Sequence, residues 1–302
     1  MAQSEIVDFD KLPDNLKRLF EVTYKSGQVR PQVMVKFGGF RYVAVGNRIL
    51  WGKWVTFPDF LIDYCTIIVG ADWGKAELAK PLDQMNPMMQ WYKSWEEFAA
   101  TKKIAPDGTF KAVSSGPVAA WFHLAYDLYI LQHNASLQTK LVDRLRNTEQ
   151  FQGARYELTI AATFIRAGFL IQLEDESDRQ RKHPEFLAID QTTNEAIAVE
   201  AKSRHRPGVL AQPGQRENPT EITAGIGRLL QNAIAKNIEM PYVVCIDLNL
   251  PPFDQENLIK QPQVRELMKT IAQKERQYPE DAFPVTVVVA TNFPHYYTHA
   301  HN

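Results

Sequence analysis

The stretch His183–Lys202, HPEFLAIDQTTNEAIAVEAK, determines the fold that we expect for the second half of this chain. It contains two candidate strands, EFLAI and AIAVEAK, joined by a Thr-Thr-Asn turn. The first strand opens with Glu185, and the second ends with the triplet Glu200-Ala201-Lys202. The stretch therefore predicts two carboxylates and an amine at the ends of adjacent strands.

The side chains of the second strand should alternate between two faces. The apolar Ile197, Val199 and Ala201 share one face, which we expect to pack against a core, while Glu200 and Lys202 share the other face with two small alanines. Alanines would leave that second face bare. It should therefore have room for a metal ion and a polyanion.

Glu185 follows a proline, and fourteen residues separate it from the triplet Glu200-Ala201-Lys202. This pattern resembles the PD-(D/E)XK signature of the restriction-endonuclease-like nucleases, with Glu in place of the usual Asp at position 185. The resemblance covers about residues 150–291. It implies a metal-dependent phosphodiesterase, an endonuclease or exonuclease acting on nucleic acid, with DNA as the expected substrate. It also implies an α/β fold whose mixed-sheet core runs helix, three strands, helix, strand.

The hydrophobic pattern around the motif agrees with that order. It predicts, in sequence, a helix over 149–167, strands over 169–173, 185–189 and 196–202, a helix over 221–236 and a strand over 242–248. A further helix over 263–276 and a last buried strand over 285–290 follow. The alternation of strands and helices predicts a mixed sheet that is covered on both faces.

The resemblance assigns the chemistry of phosphodiester hydrolysis to residues of the motif. Glu185 and Glu200 would hold Mg²⁺ or Mn²⁺ with help from the carbonyl of Ala201, since oxygen ligands suit hard divalent cations. Lys202 would position or deprotonate the attacking water, or stabilise the charge that builds on the phosphate. These residues are the expected catalytic centre.

Glu157 is a carboxylate among the apolar residues of the first core helix. The resemblance implies that it leans into the metal site and is a catalytic and metal-binding residue, directly or through water. An ion pair with Arg155 or with another neighbour is the alternative interpretation.

The segment 203–219 follows Lys202 directly and contains three prolines and two glycines without periodicity, which predicts a long loop. We expect Arg204, Arg206 and Arg216 to bind nucleic-acid phosphates. A solvated basic loop or an inert linker is the alternative. On the next helix, the resemblance suggests Gln231 as a further residue near the nucleic acid.

The first half of the chain, residues 1–147, is expected to form an α+β N-terminal domain ahead of a nuclease-like domain over 148–302. Period-two residues on both sides of Gly38-Gly39 predict a β-hairpin, and the apolar stretch 63–69 is expected to extend its sheet. Helices are predicted over 14–24, 88–101, 117–132 and 135–147. All six tryptophans lie in this half. They either fill its core, which is the simpler interpretation, or stack on bases.

The composition, 45% hydrophobic and 23% charged over 302 residues, is that of a globular protein. A net charge of −1 argues against bulk electrostatic coating of nucleic acid, so any binding must be local. No apolar run reaches the length of a membrane span and the start does not resemble a signal peptide, so we expect a cytoplasmic protein without a membrane partner. Cys65 and Cys245 lie in apolar runs, which predicts buried, reduced thiols.

Three functions from different classes remain open. The leading one is a Mg²⁺-dependent nuclease, and paired double-strand cutting would then favour a homodimer. The second is a catalytically inactive nuclease-like module that binds nucleic acid or a protein partner. The third is an unrelated α/β protein in which the Glu-x-Lys triplet is only a surface ion pair.

Overall fold

The computed structural model describes residues 5–8, 14, 32–173, 183–205, 219–250, 260–279 and 283–293. Within these residues the chain is mixed α/β, with eight α-helices and two β-sheets. The predicted helix over 14–24 and most of the predicted loop over 203–219 lie outside them. No helix in the described part of the chain is long and apolar enough to cross a membrane.

The first sheet is antiparallel and has the strand order β1-β4-β3-β2. Its strands are β1 (Glu5–Asp8), β2 (Met34–Phe37), β3 (Phe40–Val45) and β4 (Arg48–Gly52). The predicted hairpin is confirmed, because β2 and β3 pair around Gly38 and Gly39. Both glycines have a positive φ, a conformation that costs glycine little.

Five helices follow the first sheet. They are α1 (Phe57–Val69), α2 (Ala71–Leu78), α3 (Pro87–Ala100), α4 (Gly116–Asn134) and α5 (Thr139–Arg146). The predicted extension of the sheet over 63–69 is wrong, because these residues belong to α1. Thr56 and Asp59 form a capping box at the start of α1, and Gly70 ends it. This capping box lies before residues 63–69, and the helix that it begins continues through them.

The second half contains the elements in the predicted order. These are α6 (Phe151–Arg166), β5 (Phe169–Leu173), β6 (Phe186–Asp190), β7 (Ala196–Ser203), α7 (Pro219–Ile234), β8 (Tyr242–Asp247), α8 (Pro262–Glu275) and β9 (Val287–Thr291). The sheet order is β5-β6-β7-β8-β9. Strands β5, β6 and β7 pair antiparallel, whereas β7, β8 and β9 pair parallel. The sheet is therefore mixed, as predicted.

Two hydrophobic clusters cover the two faces of this mixed sheet. The first contains helix α6 and the face of β7 that carries Val199 and Ala201. It continues into α1, α4 and the first sheet, so buried residues from both sides of the predicted boundary at 147 share one core. The second cluster packs α7 and α8 against the opposite face, which includes Ala198.

This second cluster corrects the expectation of a bare face on β7. Ala198 and Glu200 are both fully buried, because the small alanine side chain lets α7 approach the sheet closely. The expectation of a buried last strand is also wrong. Strand β9 is an edge strand, and Val287 and Val289 are 45% and 38% exposed.

The tryptophans and cysteines behave as packing residues. Trp54, Trp91 and Trp121 are buried in the first cluster, which supports the core interpretation over base stacking. Cys65 and Cys245 are buried free thiols, as predicted, and burial raises the pKa of each thiol to about 12.

Candidate functional site

The backbone brings the two predicted glutamates together across β6 and β7. Phe186 pairs with Val199, and the Glu185 N–H donates a hydrogen bond of 3.0 Å to the carbonyl of Val199. Glu185 is therefore held beside the residue that precedes Glu200. The antiparallel pairing that places Glu185 here follows directly from the turn between the two strands.

Lys202 joins the two carboxylates. Its Nζ donates to Glu185 Oε1 at 3.0 Å and lies 2.5 Å from Glu200 Oε1. Glu185 Oε1 and Glu200 Oε1 are therefore no farther apart than the sum of these two distances. Burial of Lys202 acts to lower its pKa, but Glu185 and Glu200 together outweigh burial and leave the pKa above its usual range.

Glu200 is the most deeply buried member of the site, with 0% of its side chain exposed. Its Oε2 accepts a hydrogen bond of 2.7 Å from Lys236 Nζ. Its Oε1 is in contact with the Lys202 ammonium but accepts no aligned hydrogen bond from the described residues. Burial also raises the pKa of the Tyr242 hydroxyl, and the nearby Glu200 and Glu185 carboxylates add to the effect.

This burial corrects the surface location that the third hypothesis gives to the Glu-x-Lys triplet. A Glu-x-Lys triplet that is only a surface ion pair would leave both side chains in solvent. Here Glu200 is fully buried, and only 23% of the Lys202 side chain is exposed. Burying a carboxylate carries a desolvation cost that a surface pair does not have.

Lys236 is a member of the site that the sequence analysis missed. It lies in the turn after α7, and its Nζ donates to both Glu200 Oε2 and the carbonyl of His183, each at 2.7 Å. The only signal in the sequence is a lysine near the end of a predicted helix. Lysines are common there because they interact favourably with the helix dipole.

Glu157 is both near the site and paired with an arginine. Arg144 Nη1 donates to Glu157 Oε2 at 2.6 Å, so the neighbour that pairs with Glu157 is Arg144 and not Arg155. Burial, with a further contribution from the Glu185 carboxylate, raises the pKa of Glu157 to about 7 although Arg144 and Lys202 oppose the rise. The charges of Glu185 and Lys202 therefore both act on the pKa of Glu157.

Arg155 instead forms a fully buried ion pair with Asp247 at the end of β8. Arg155 Nη2 lies 2.6 Å from Asp247 Oδ2, and each side chain is 1% exposed. Asp247 Oδ1 accepts from the N–H of Asn249, whose side chain bonds Gln152 on α6. This network fixes the carboxyl ends of the parallel strands next to Lys202. An acidic residue ending an otherwise apolar strand was its only sequence signal.

Two of the predicted nucleic-acid contacts, Arg204 and Gln231, have hydrogen-bond partners within the fold. Arg204 is buried, and its guanidinium donates to the backbone carbonyls of Leu248 and Asn249 at 2.7 and 2.8 Å. Gln231 is exposed and accepts a hydrogen bond of 2.7 Å from Lys274 of α8. The roles of Arg204 and Gln231 in nucleic-acid binding stay predictions.

The remaining predicted residues fall into two groups. Arg206 and Arg216 lie outside the described residues. Ala201 lies in β7 between the two charged residues, paired with Cys245 of β8, and its carbonyl stays a predicted metal ligand.

The donor set fits a divalent cation held by few protein ligands. No group of three or more His, Cys, Asp or Glu side chains within the described residues is arranged to hold a metal ion, so Glu157 is not in a common ligand set with the other two. Mg²⁺ is usually bound by one or two carboxylates, with water and substrate phosphate as its other ligands. Glu185 and Glu200 share one cationic partner, because Lys202 Nζ lies 3.0 Å from Glu185 Oε1 and 2.5 Å from the buried Glu200 Oε1. Glu185 and Glu200 therefore stay the predicted metal ligands.

Comparison with known proteins adds no relative. Scans against protein-family models, curated proteins and solved structures each found no significant match to this chain.

Proposed function

We propose that this protein is a metal-dependent phosphodiesterase that cleaves nucleic acid, with DNA as the expected substrate and Mg²⁺ or Mn²⁺ as the cofactor. We further propose that its second half has a restriction-endonuclease-like fold. The observation that carries the proposal is the meeting of Glu185, Glu200 and Lys202 at one buried point on adjacent strands. The order of helix, three strands, helix and strand around that point supports the fold assignment.

The charges of the site suit a divalent cation and a phosphate. The carboxylates of Glu157, Glu185 and Glu200 are balanced by three cations, which are Arg144, Lys202 and Lys236. A divalent ion bound there would neutralise charge on the phosphate and supply a nucleophilic water. With such an ion present, this set of side chains would carry a net positive charge that attracts a phosphodiester.

We assign Lys202 the role of a charged group that stabilises the phosphate, rather than that of a base. Its pKa is raised by the two carboxylates, so the ammonium form persists at neutral pH. An ammonium beside the reacting phosphate can stabilise the charge that develops there. Glu157, with its pKa raised to about 7, can hold a proton near neutral pH.

A catalytically inactive module that binds nucleic acid is the second candidate. The observation that favours it is the presence of an ammonium against each oxygen of Glu200. If a metal ion cannot displace Lys202 from Glu200 Oε1, the site stays closed. The two candidates differ in cleavage and share the expectation of nucleic-acid binding.

Cleavage assays with purified variants separate these candidates. Duplex DNA, single-stranded DNA and RNA would each be incubated with Mg²⁺, with Mn²⁺ or with EDTA. The nuclease proposal predicts metal-dependent cleavage that Glu185→Gln and Glu200→Gln abolish and that Lys202→Met slows by roughly 10²–10³-fold.

The control variants are matched in chemistry. Asp127→Asn removes another buried carboxylate, which pairs with Arg166 at 2.6 Å, and Lys274→Met removes a lysine from α8. Both should cleave at the wild-type rate. Binding without cleavage on any substrate would support the inactive module, and cleavage that persists in Glu200→Gln would remove the site from the reaction.

A further inference from the structure

Lys236 connects three separate parts of the candidate site. It lies in the turn that follows α7, on the segment that leads to β8 at Tyr242. Its Nζ donates to the carbonyl of His183, in the segment that leads into β6, and to Glu200 Oε2 in β7. Only 22% of the side chain is exposed, so both hydrogen bonds lie largely away from water.

The bond to His183 fixes the backbone that carries Glu185. His183 lies two residues before Glu185, and the Glu185 N–H is itself bonded to Val199. The short segment from His183 to Glu185 is therefore held at both ends, by Lys236 and by β7. Lys236 thus sets the position of one carboxylate and contacts the other.

The bond to Glu200 makes the two oxygens of this carboxylate different. Oε2 accepts a hydrogen bond of 2.7 Å from the Lys236 ammonium, and Oε1 lies 2.5 Å from the Lys202 ammonium, which also donates to Glu185 Oε1. A cation that displaced Lys202 while Lys236 kept its two hydrogen bonds would meet a single carboxylate oxygen. A carboxylate that offers one oxygen suits the strict octahedral geometry of Mg²⁺, whereas Ca²⁺ has six to eight ligands and often uses both oxygens.

We propose that Lys236 is a positioning residue that makes Glu200 a single-oxygen metal ligand and so makes the site prefer Mg²⁺ over Ca²⁺. The proposal rests on the metal site of the proposed function, and it assigns Lys236 no contact with the substrate. It predicts a selectivity that Glu185, Glu200 and Lys202 would not provide by themselves.

Calorimetric titration of the full chain with Mg²⁺ and with Ca²⁺ tests the selectivity. In Lys236→Met, Oε2 of Glu200 is released, and the Ca²⁺ affinity should rise relative to the Mg²⁺ affinity by about tenfold or more. Lys236→Arg keeps a donor at this position and should retain most of the wild-type ratio. Lys274→Met, which alters a lysine on α8, should leave the ratio unchanged.

Amide hydrogen exchange in metal-free protein provides a readout that does not depend on metal. Loss of the bond to His183 should reduce the protection of the Glu185 N–H in Lys236→Met, while the Lys274→Met control keeps wild-type protection. This measurement also reveals whether Lys236→Met is folded, because protection in α4 and α6 should persist.

The outcomes distinguish the two proposals. If wild type binds Mg²⁺ through Glu200 but Lys236→Met keeps the wild-type ratio of Mg²⁺ to Ca²⁺ affinity, the role of Lys236 is refuted and the metal site stands. If wild type binds neither ion, the proposed metal-dependent function fails, and the selectivity proposal fails with it. Unchanged protection at Glu185 in a folded Lys236→Met would refute the positioning role.

Discussion

Replacing Glu157 with glutamine should change how the stability of the protein depends on pH. Burial and the neighbouring Glu185 raise the pKa of Glu157 to about 7, from 4.5 for an unperturbed glutamate. An acid with a raised pKa binds its proton more tightly in the folded state. The folded protein therefore loses stability as pH rises from about 4.5 to about 7, and the full loss persists above pH 7.

The size of this effect follows from the separation between the two pKa values. At about 1.36 kcal/mol per pH unit, that separation corresponds to roughly 3 kcal/mol. The contact with Arg144 is already contained in the raised pKa, because its charge opposes the rise. Glutamine resembles the protonated acid in shape and has no charge, so Glu157→Gln should be more stable than wild type by up to about 3 kcal/mol at pH 8.5.

Urea denaturation between pH 4.5 and 8.5, in EDTA, measures this difference. Wild type should lose stability across that range relative to Glu157→Gln, and the two proteins should converge at the acidic end. Glu149→Gln, which alters an exposed carboxylate in the turn before α6, is the matched control and should follow wild type. A Glu157→Gln protein that is less stable than wild type at pH 8.5 would refute the assigned environment of Glu157.

Three further substitutions test the network around the site. Lys202→Met should destabilise metal-free protein by about 1–3 kcal/mol in urea denaturation, because two facing carboxylates lose their shared cation. Mn²⁺ should restore part of this stability. Equal stability of wild type and Lys202→Met would contradict the bridging contacts of Lys202. Arg155→Met leaves Asp247 charged and buried, so thermal and urea unfolding should show a loss of about 3–5 kcal/mol, and a loss near zero would argue against the buried pair. Arg204→Met should lower the free energy of unfolding by about 1–3 kcal/mol, because two backbone carbonyls lose their donor. The salt dependence of nucleic-acid binding should not change. A shallower salt dependence at unchanged stability would support the predicted role of Arg204 as a phosphate contact.

Local patterns were sufficient to predict most of the fold of the second half. Alternating residues around the Thr-Thr-Asn turn predicted β6 and β7, and continuous apolar runs predicted β8 and β9. The stretch 63–69 was misassigned because its β-branched residues favour a strand locally, whereas the helix begins earlier, at the capping box of Thr56 and Asp59. Strand β9 was expected to be buried because it is a continuous apolar run. Such a run does not show whether the strand lies at the edge of the sheet.

The candidate site was predictable only in its β-strand part. Glu185, Glu200 and Lys202 follow from strand periodicity and one turn, and the structure brings them together. Lys236 reaches Glu200, and Arg144 reaches Glu157, through the packing of helices, which a single sequence does not specify. Arg204 was predicted to contact phosphate from its charge alone. Its buried hydrogen bonds go to the carbonyls of Leu248 and Asn249, which are far from it in the sequence and so could not be predicted locally.

In the proposed function, Glu185 and Glu200 form the site for a divalent cation. The most direct measurement is anomalous diffraction from crystals soaked with Mn²⁺, collected for wild type and for Glu200→Gln. One anomalous peak is expected between the carboxylates of Glu185 and Glu200 in wild type, with the Lys202 ammonium displaced, and no peak in Glu200→Gln. Wild-type crystals in which Lys202 still bridges the two carboxylates at saturating Mn²⁺, without a peak between them, would contradict this metal site.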